Sequence, residues 1–157
     1  MARVNVGVNP MFLSDQHLIA ESVEITMITG SFRKNEYRIV SEIPKQFSLG
    51  KGHMNFFKDK LLYLKDRLDS VNTEMKRRGF NATTQIDNVI TEAPKKYLNN
   101  WKPSYKDSVD IRLRIASRLH TRTNGKPGQG FYRYSRVAIP NIDNFSRNVI
   151  KSKLHYV

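Results

Sequence analysis

The stretch FKDKLLYLKDRLDSVNTEMKRRG, residues 57–79, decides the kind of fold this chain adopts. Its apolar residues Phe57, Leu61, Leu64, Leu68, Val71 and Met75 recur at spacings of four, three, four, three and four. With about 3.6 residues per turn, that spacing holds them on one stripe, so the segment reads as an amphipathic helix with one buried face. Gly79 stands just past the stripe, where a helix C-terminal cap belongs. The stripe itself is core and carries no chemistry.

Working outward, a second helix is expected from about Asp107 to Arg122, after the breakers Pro94 and Pro103. The run Asn124-Gly125-Lys126-Pro127-Gly128-Gln129-Gly130 ends it in an exposed loop. Toward the N-terminus, Ser14 is an N-cap candidate for a helix opening at Asp15-Gln16-His17, with acids in its early turns that suit the helix dipole. Gly30 is expected to weaken or bend that helix. The first ten residues read as an extended arm ending at Pro10, and the tail beyond residue 130 shows no strong period. The expectation is all-α: a compact single domain over residues 1–157, three main helices joined by long irregular connections, with 140–157 as a basic C-terminal extension.

Charge narrows the partner. The chain has 157 residues, 27 Lys and Arg against 14 Asp and Glu, and a net charge of +13. Residues 1–50 are balanced, whereas residues 95–157 carry 14 basic and 3 acidic side chains. A uniformly solubilising surface would not be so lopsided, and a polyanion on one face explains it better. No segment pairs a basic face with a strongly apolar one, so anionic lipid is disfavoured. No apolar run is long enough for a membrane span, and MARVNVGVNP lacks the apolar stretch of a secretory leader. The absence of cysteine excludes disulfides and thiolate metal sites, and a reducing cytoplasm is the expected compartment.

Several kinds of chemistry lack their residues. His17, His53, His120 and His155 are scattered, without a second ligand at the three- or four-residue helical spacing of zinc motifs. Lys51 lies between two glycines but lacks the remaining spacing and the Ser or Thr of a phosphate loop. Arg114, Arg118 and Arg122, four residues apart, form a ridge that suits a row of phosphates, with an ordinary solvated helix face as the alternative. Phe131, Tyr132 and Tyr134 around Arg133 suit base stacking, although each ring taken singly could equally be core. Glu24 lies on a helix rich in apolar residues, where a carboxylate can acquire a raised pKa and move protons. Periodicity alone does not select it over a solvated or salt-bridged glutamate.

Read in order, these stretches resemble the phage-type endonuclease V family, the pyrimidine-dimer glycosylases of T-even bacteriophages. The resemblance rests on Asp15-Gln16-His17-Leu18-Ile19-Ala20-Glu21 with Glu24, on Gly30 with Arg33-Lys34, and on Leu49-Gly50-Lys51-Gly52-His53 with Phe56-Phe57. It continues through Asp59-Lys60-Leu61, Lys76-Arg77-Arg78-Gly79-Phe80-Asn81, the arginine series and Phe131-Tyr132-Arg133-Tyr134, in register over about residues 2–139.

The resemblance implies a bifunctional DNA glycosylase and abasic-site lyase that needs no metal or cofactor. Met1 would be removed, and the α-amino group of Ala2 would be the nucleophile that forms a Schiff base with the sugar. Glu24 would stabilise the cation and move protons. Arg3 would hold a phosphate; Gln16 and His17 would line the site. Arg33, Lys34, Arg114, Arg118, Arg122, Tyr132, Arg133 and Tyr134 would contact DNA. The partner would be damaged double-stranded DNA, kinked with a nucleotide extruded, and the protein a monomer in a bacterial or phage-infected cytoplasm. His53 is expected to fix its own loop.

Two positions depart from the family pattern: arginines directly before and three residues after the catalytic glutamate are replaced by Val23 and Met27. A retained Met1 would also displace the amine by up to about 3.6 Å. The alternatives are a non-catalytic DNA-binding relative, the same chemistry on another modified base, and, more remotely, a metal nuclease.

Overall fold

A computed structural model of the chain describes residues 3–121 and 130–156. Six helices carry the fold among those residues: α1 (Asp15–Lys34), α2 (His53–Phe56), α3 (Leu61–Arg77), α4 (Asp87–Glu92), α5 (Tyr105–His120) and α6 (Ile142–Lys151). Two 3-10 turns, Pro10–Phe12 and Lys95–Tyr97, punctuate the connections. A single hairpin, β1 (Arg133–Tyr134) with β2 (Val137–Ala138), is the only sheet among the described residues. The fold is all-α, and the three long helices are the three expected from the sequence.

The sequence stripe becomes the inner face of α3, where Leu61, Leu64, Leu68 and Val71 are fully buried and Met75 nearly so. Phe57 belongs to the same core but precedes the helix. The backbone leaves helical angles at Lys60, whose ammonium lies 3.8 Å over the Phe56 ring and bonds the Phe56 carbonyl. At the far end Gly79 takes φ +88°, and the Phe80 amide bonds the Met75 carbonyl, closing the helix as predicted. α1 starts where Ser14 caps it, its hydroxyl accepting from the His17 amide at 3.1 Å. Gly30 does not bend it: α1 runs unbroken for 20 residues, and Gly30 sits on its exposed side.

The N-terminal arm is not a surface strand. Residues 4–8 thread through the centre with Val4, Val6 and Val8 fully buried. Arg67 of α3, itself without exposed surface, donates from Nε and Nη2 to both carboxylate oxygens of Glu21 on α1. Its Nη1 reaches the Val8 carbonyl at 2.6 Å, and Asn5 donates to Glu21 at 2.9 Å. One buried ion pair thereby binds α1, α3 and the arm together, with its polar atoms satisfied as burial demands.

The tail has more structure than its weak period suggested. α6 presents Ile142, Ser146 and Val149 inward, is capped by the Asn141 side chain, and packs against α5. Arg112 of α5 locks it by donating to the Ile150 and Ser152 carbonyls. Beyond α6 the chain returns to the arm: Leu154 bridges Val8, and the His155 amide bonds the Gly7 carbonyl at 2.9 Å. Gly7 is required there, since a Cβ would lie 2.7 Å from both Leu154 Cδ1 and Ser108 Cβ. No described helix is long and apolar enough to cross a membrane.

Candidate active site

Where the arm enters the core, α1, α5 and the segment before β1 leave a cleft of about 250 Å³. Arg3 and Asn5 come from the arm, Gln16, His17 and Ala20 from α1, and Arg114 and Arg118 from α5; Phe131 and Tyr132 close the remaining side. The four-residue spacings seen in the sequence are what aim these side chains together, since such residues share a helix face.

Each wall is fixed differently. Arg3 donates from Nε to the Leu49 carbonyl at 2.7 Å, tying the arm to the 49–53 loop. His53 tightens the same junction by accepting from the Val4 amide at Nε2, while its Nδ1 meets the Ser48 carbonyl at 2.9 Å. That pairing requires the neutral ring with its proton on Nδ1, in accord with a pKa drawn down to about 4 by burial. His53 therefore holds the arm as well as its own loop.

His17 stacks on Tyr132 with ring centroids 5.3 Å apart and planes 1° from parallel, and its Nδ1 meets Ser14 Oγ at 2.7 Å. Burial first, then the charges of Arg114 and Arg118, lower its pKa to about 4, so the ring is neutral at physiological pH. Gln16 grips the tail backbone at two points, donating to the Phe131 carbonyl and accepting from the Arg133 amide. Tyr132 donates to the Arg118 carbonyl at 3.1 Å, joining the tail to α5.

Glu24 is the acid of this region. It is buried, and burial raises its pKa above the usual carboxylate range, against the opposing pull of Arg3 and Arg114. Burial and the neighbouring charges of Arg118 and Arg3 draw Arg114 down to about 10, still a cation at neutral pH. A carboxyl readier than usual to take a proton, within the field of two guanidinium groups, suits proton transfer beside an anionic ligand.

Other predicted residues stand elsewhere. Arg33 makes a two-bond pair with Glu92, which Tyr37 also joins, at the far end of α1. Lys34 is exposed beside Asn35, Arg38 and Val40. Tyr134 lies under the Arg78 guanidinium at 3.7 Å and donates to the Met11 carbonyl, so its ring is packed away from the cleft. Arg133 keeps an exposed side chain. Ala2 and Arg122 lie outside the described residues. Among the described residues, no three His, Asp or Glu side chains gather as a metal site would require.

Asn5 and Ala20 were not foreseen as cleft residues. Asn5 follows the arm's valine alternation as its polar exception, which is the one signal the sequence offered. Its Oδ1 is buried without a hydrogen-bond partner among the described residues, because the Glu21 carboxylate fixes the amide the other way round.

The model of one family, described as pyrimidine dimer DNA glycosylase, matches residues 1–88. The match takes in the arm, α1, α2 and α3 and ends inside α4. It therefore includes Arg3, Gln16, His17 and Glu24, while Arg114, Arg118 and the tail lie beyond it.

Proposed function

The chain belongs to the pyrimidine dimer DNA glycosylase family, and from that premise we propose that it excises cyclobutane pyrimidine dimers and then cuts the strand through an imine on its N-terminal amine. Its partner is damaged duplex DNA, which it engages as a monomer in a bacterial or phage-infected cytoplasm, with no metal or cofactor. The observation that carries the reading is Glu24, a buried acid of raised pKa within the field of Arg3 and Arg114, both of which line the cleft.

After Met1 is removed, the free amine belongs to Ala2, whose Cα lies about 3.8 Å from that of Arg3 by covalent geometry. A terminal amine, with a pKa near about 8, keeps a usable unprotonated fraction at neutral pH. Its nitrogen attacks C1′ of the damaged nucleotide, the glycosidic bond breaks, and the base leaves with the bonding electrons and a proton. Opening of the sugar ring, with loss of a proton from nitrogen, gives the imine. Glu24 as carboxylate stabilises the cationic sugar and imine, then takes a proton from C2′. The electrons of that C–H bond expel the 3′ phosphate, and water releases the opened sugar from the amine. Arg3, Arg114 and Arg118 hold phosphates, and neutral His17 with Tyr132 forms a flat apolar wall for an extruded nucleotide.

The test is borohydride trapping on two duplexes, one with a defined thymine dimer and one with an abasic site, with chelator present. Covalent adducts on both, lost in Glu24→Gln and when a residue is retained before Ala2, are expected. An adduct on the abasic duplex alone would move the base specificity elsewhere, and tight binding with no adduct would leave a DNA-binding protein without this chemistry.

A further inference from the structure

The outward side of α1 has a property that the chemistry above does not use. In a chain of net charge +13, every exposed residue of α1 from Gln16 to Ser31 is uncharged. Ile19, Val23 and Met27, four residues apart, are 44%, 48% and 54% exposed, and Gly30 continues the same side with no side chain at all. All three carboxylates of the helix, Asp15, Glu21 and Glu24, are buried.

The apolar row runs on from the cleft along α1. Ile19 and Val23 stand three residues beyond Gln16 and Ala20, which line the cleft, and are therefore their neighbours on the helix surface; Met27 lies a turn further, about 10 Å of helix rise beyond Ala20. A duplex that lies across the cleft and continues along α1 therefore meets Val23 and Met27. Phosphates have nothing to gain there, since neither side chain can donate a hydrogen bond and burying them against a hydrated anion desolvates it without return. Base faces do gain, because apolar side chains can pack against an opened base step.

We infer that Ile19, Val23 and Met27 form an apolar wedge that seats against partly unstacked bases beside the lesion, while Arg114 and Arg118 track the phosphates. The inference rests on DNA being the ligand of the cleft and deepens that reading. It makes lesion choice depend on how readily a base step opens. Duplexes already weakened at the damaged step are the preferred substrates, because less unstacking has to be supplied on binding.

Two double variants test it, with the full-length protein and a thymine-dimer duplex carrying 2-aminopurine at the base step flanking the lesion. Val23→Ser with Met27→Ser is expected to abolish most of the fluorescence rise on binding. It should weaken affinity about tenfold, the scale of two half-exposed apolar side chains losing their burial. The slope of affinity against salt should not change, because no phosphate contact is removed. Val23→Lys with Met27→Lys is expected to weaken binding as well. If instead the lysine pair tightens binding and steepens the salt slope by about two, the row faces phosphates and the wedge is overturned.

An unchanged fluorescence rise in the serine pair overturns it too. So does a serine pair that binds DNA normally but changes its elution in size-exclusion chromatography, which would assign the row to protein association. Thermal melts of both pairs confirm that these exposed positions leave the fold intact. Borohydride trapping on the unsubstituted chain keeps the two readings apart. No adduct with a normal fluorescence response would sink the reaction and leave the wedge; an adduct with no response in any form would do the reverse.

Discussion

Glu21 and Glu24 lie buried one turn apart on α1 and differ in what surrounds them. Glu21 has both oxygens engaged by Arg67 and one shared with Asn5, so its charge is matched and immobile. Glu24 is nearly as buried, and burial raises its carboxyl against the opposing charges of Arg3 and Arg114. A buried acid with its counter-ion bonded to it holds a structure together, whereas one raised by burial is better placed to exchange protons.

Replacing each acid in turn should separate the two roles, beginning with the largest effect. Glu24→Gln is expected to slow strand cleavage at an abasic site by about 10²–10⁴. The same change should raise the melting temperature at neutral pH. A carboxyl whose folded pKa exceeds its unfolded one takes up protons on folding, so its ionisation at higher pH works against the fold. Loss of activity together with a lower melting temperature would make Glu24 a structural acid like Glu21. Glu21→Ala should instead cost about 3–5 kcal/mol in a urea titration, because Arg67 is left as an uncompensated buried cation. If that variant melts normally but fails to cut, Glu21 is the chemical acid.

His17 and His53 are both lowered to about 4, so folding excludes protons that the unfolded chain binds below about 6.5. Stability should therefore be complete above that pH and fall as pH drops toward about 4, with Glu24 contributing in the opposite sense. Thermal melts across pH 7 to 4 read this directly, and His53→Gln should make the fall shallower. The smallest expected effect comes from the outer side. Gly30→Ala should stabilise by up to about 1 kcal/mol, since the site is helical and exposed, with nothing within 4 Å of the added carbon. A loss instead would mean that side is occupied in the free protein.

How far the sequence could be read follows from the range of the forces involved. The α3 stripe, the Ser14 cap and the turn at Gly79 are local, and each is where the residues place it. The hairpin was not legible because its turn lacks the usual glycine or asparagine. Ser135 and Arg136 take positive φ, and their amides are held by the Asp15 carboxylate from the start of α1. α6 was missed because Ile142, Phe145 and Val149 make too short a period to stand out, and Arg112 does much of the fastening. Glu24 could be picked only by resemblance, since its environment is supplied by Arg3 and Arg114 from distant parts of the chain. Arg33 and Tyr134 show the converse: residues in the matching pattern that are engaged by Glu92 and by Arg77 and Arg78.

The pairing of Leu154 with Val8, and of the His155 amide with Gly7, ties the segment after α6 to the arm. During synthesis the arm leaves the ribosome long before this brace does. The arm therefore gains that support only once residues 154 and 155 have been made and α6 has docked on α5. A chain cut short before them would hold its arm without that lock.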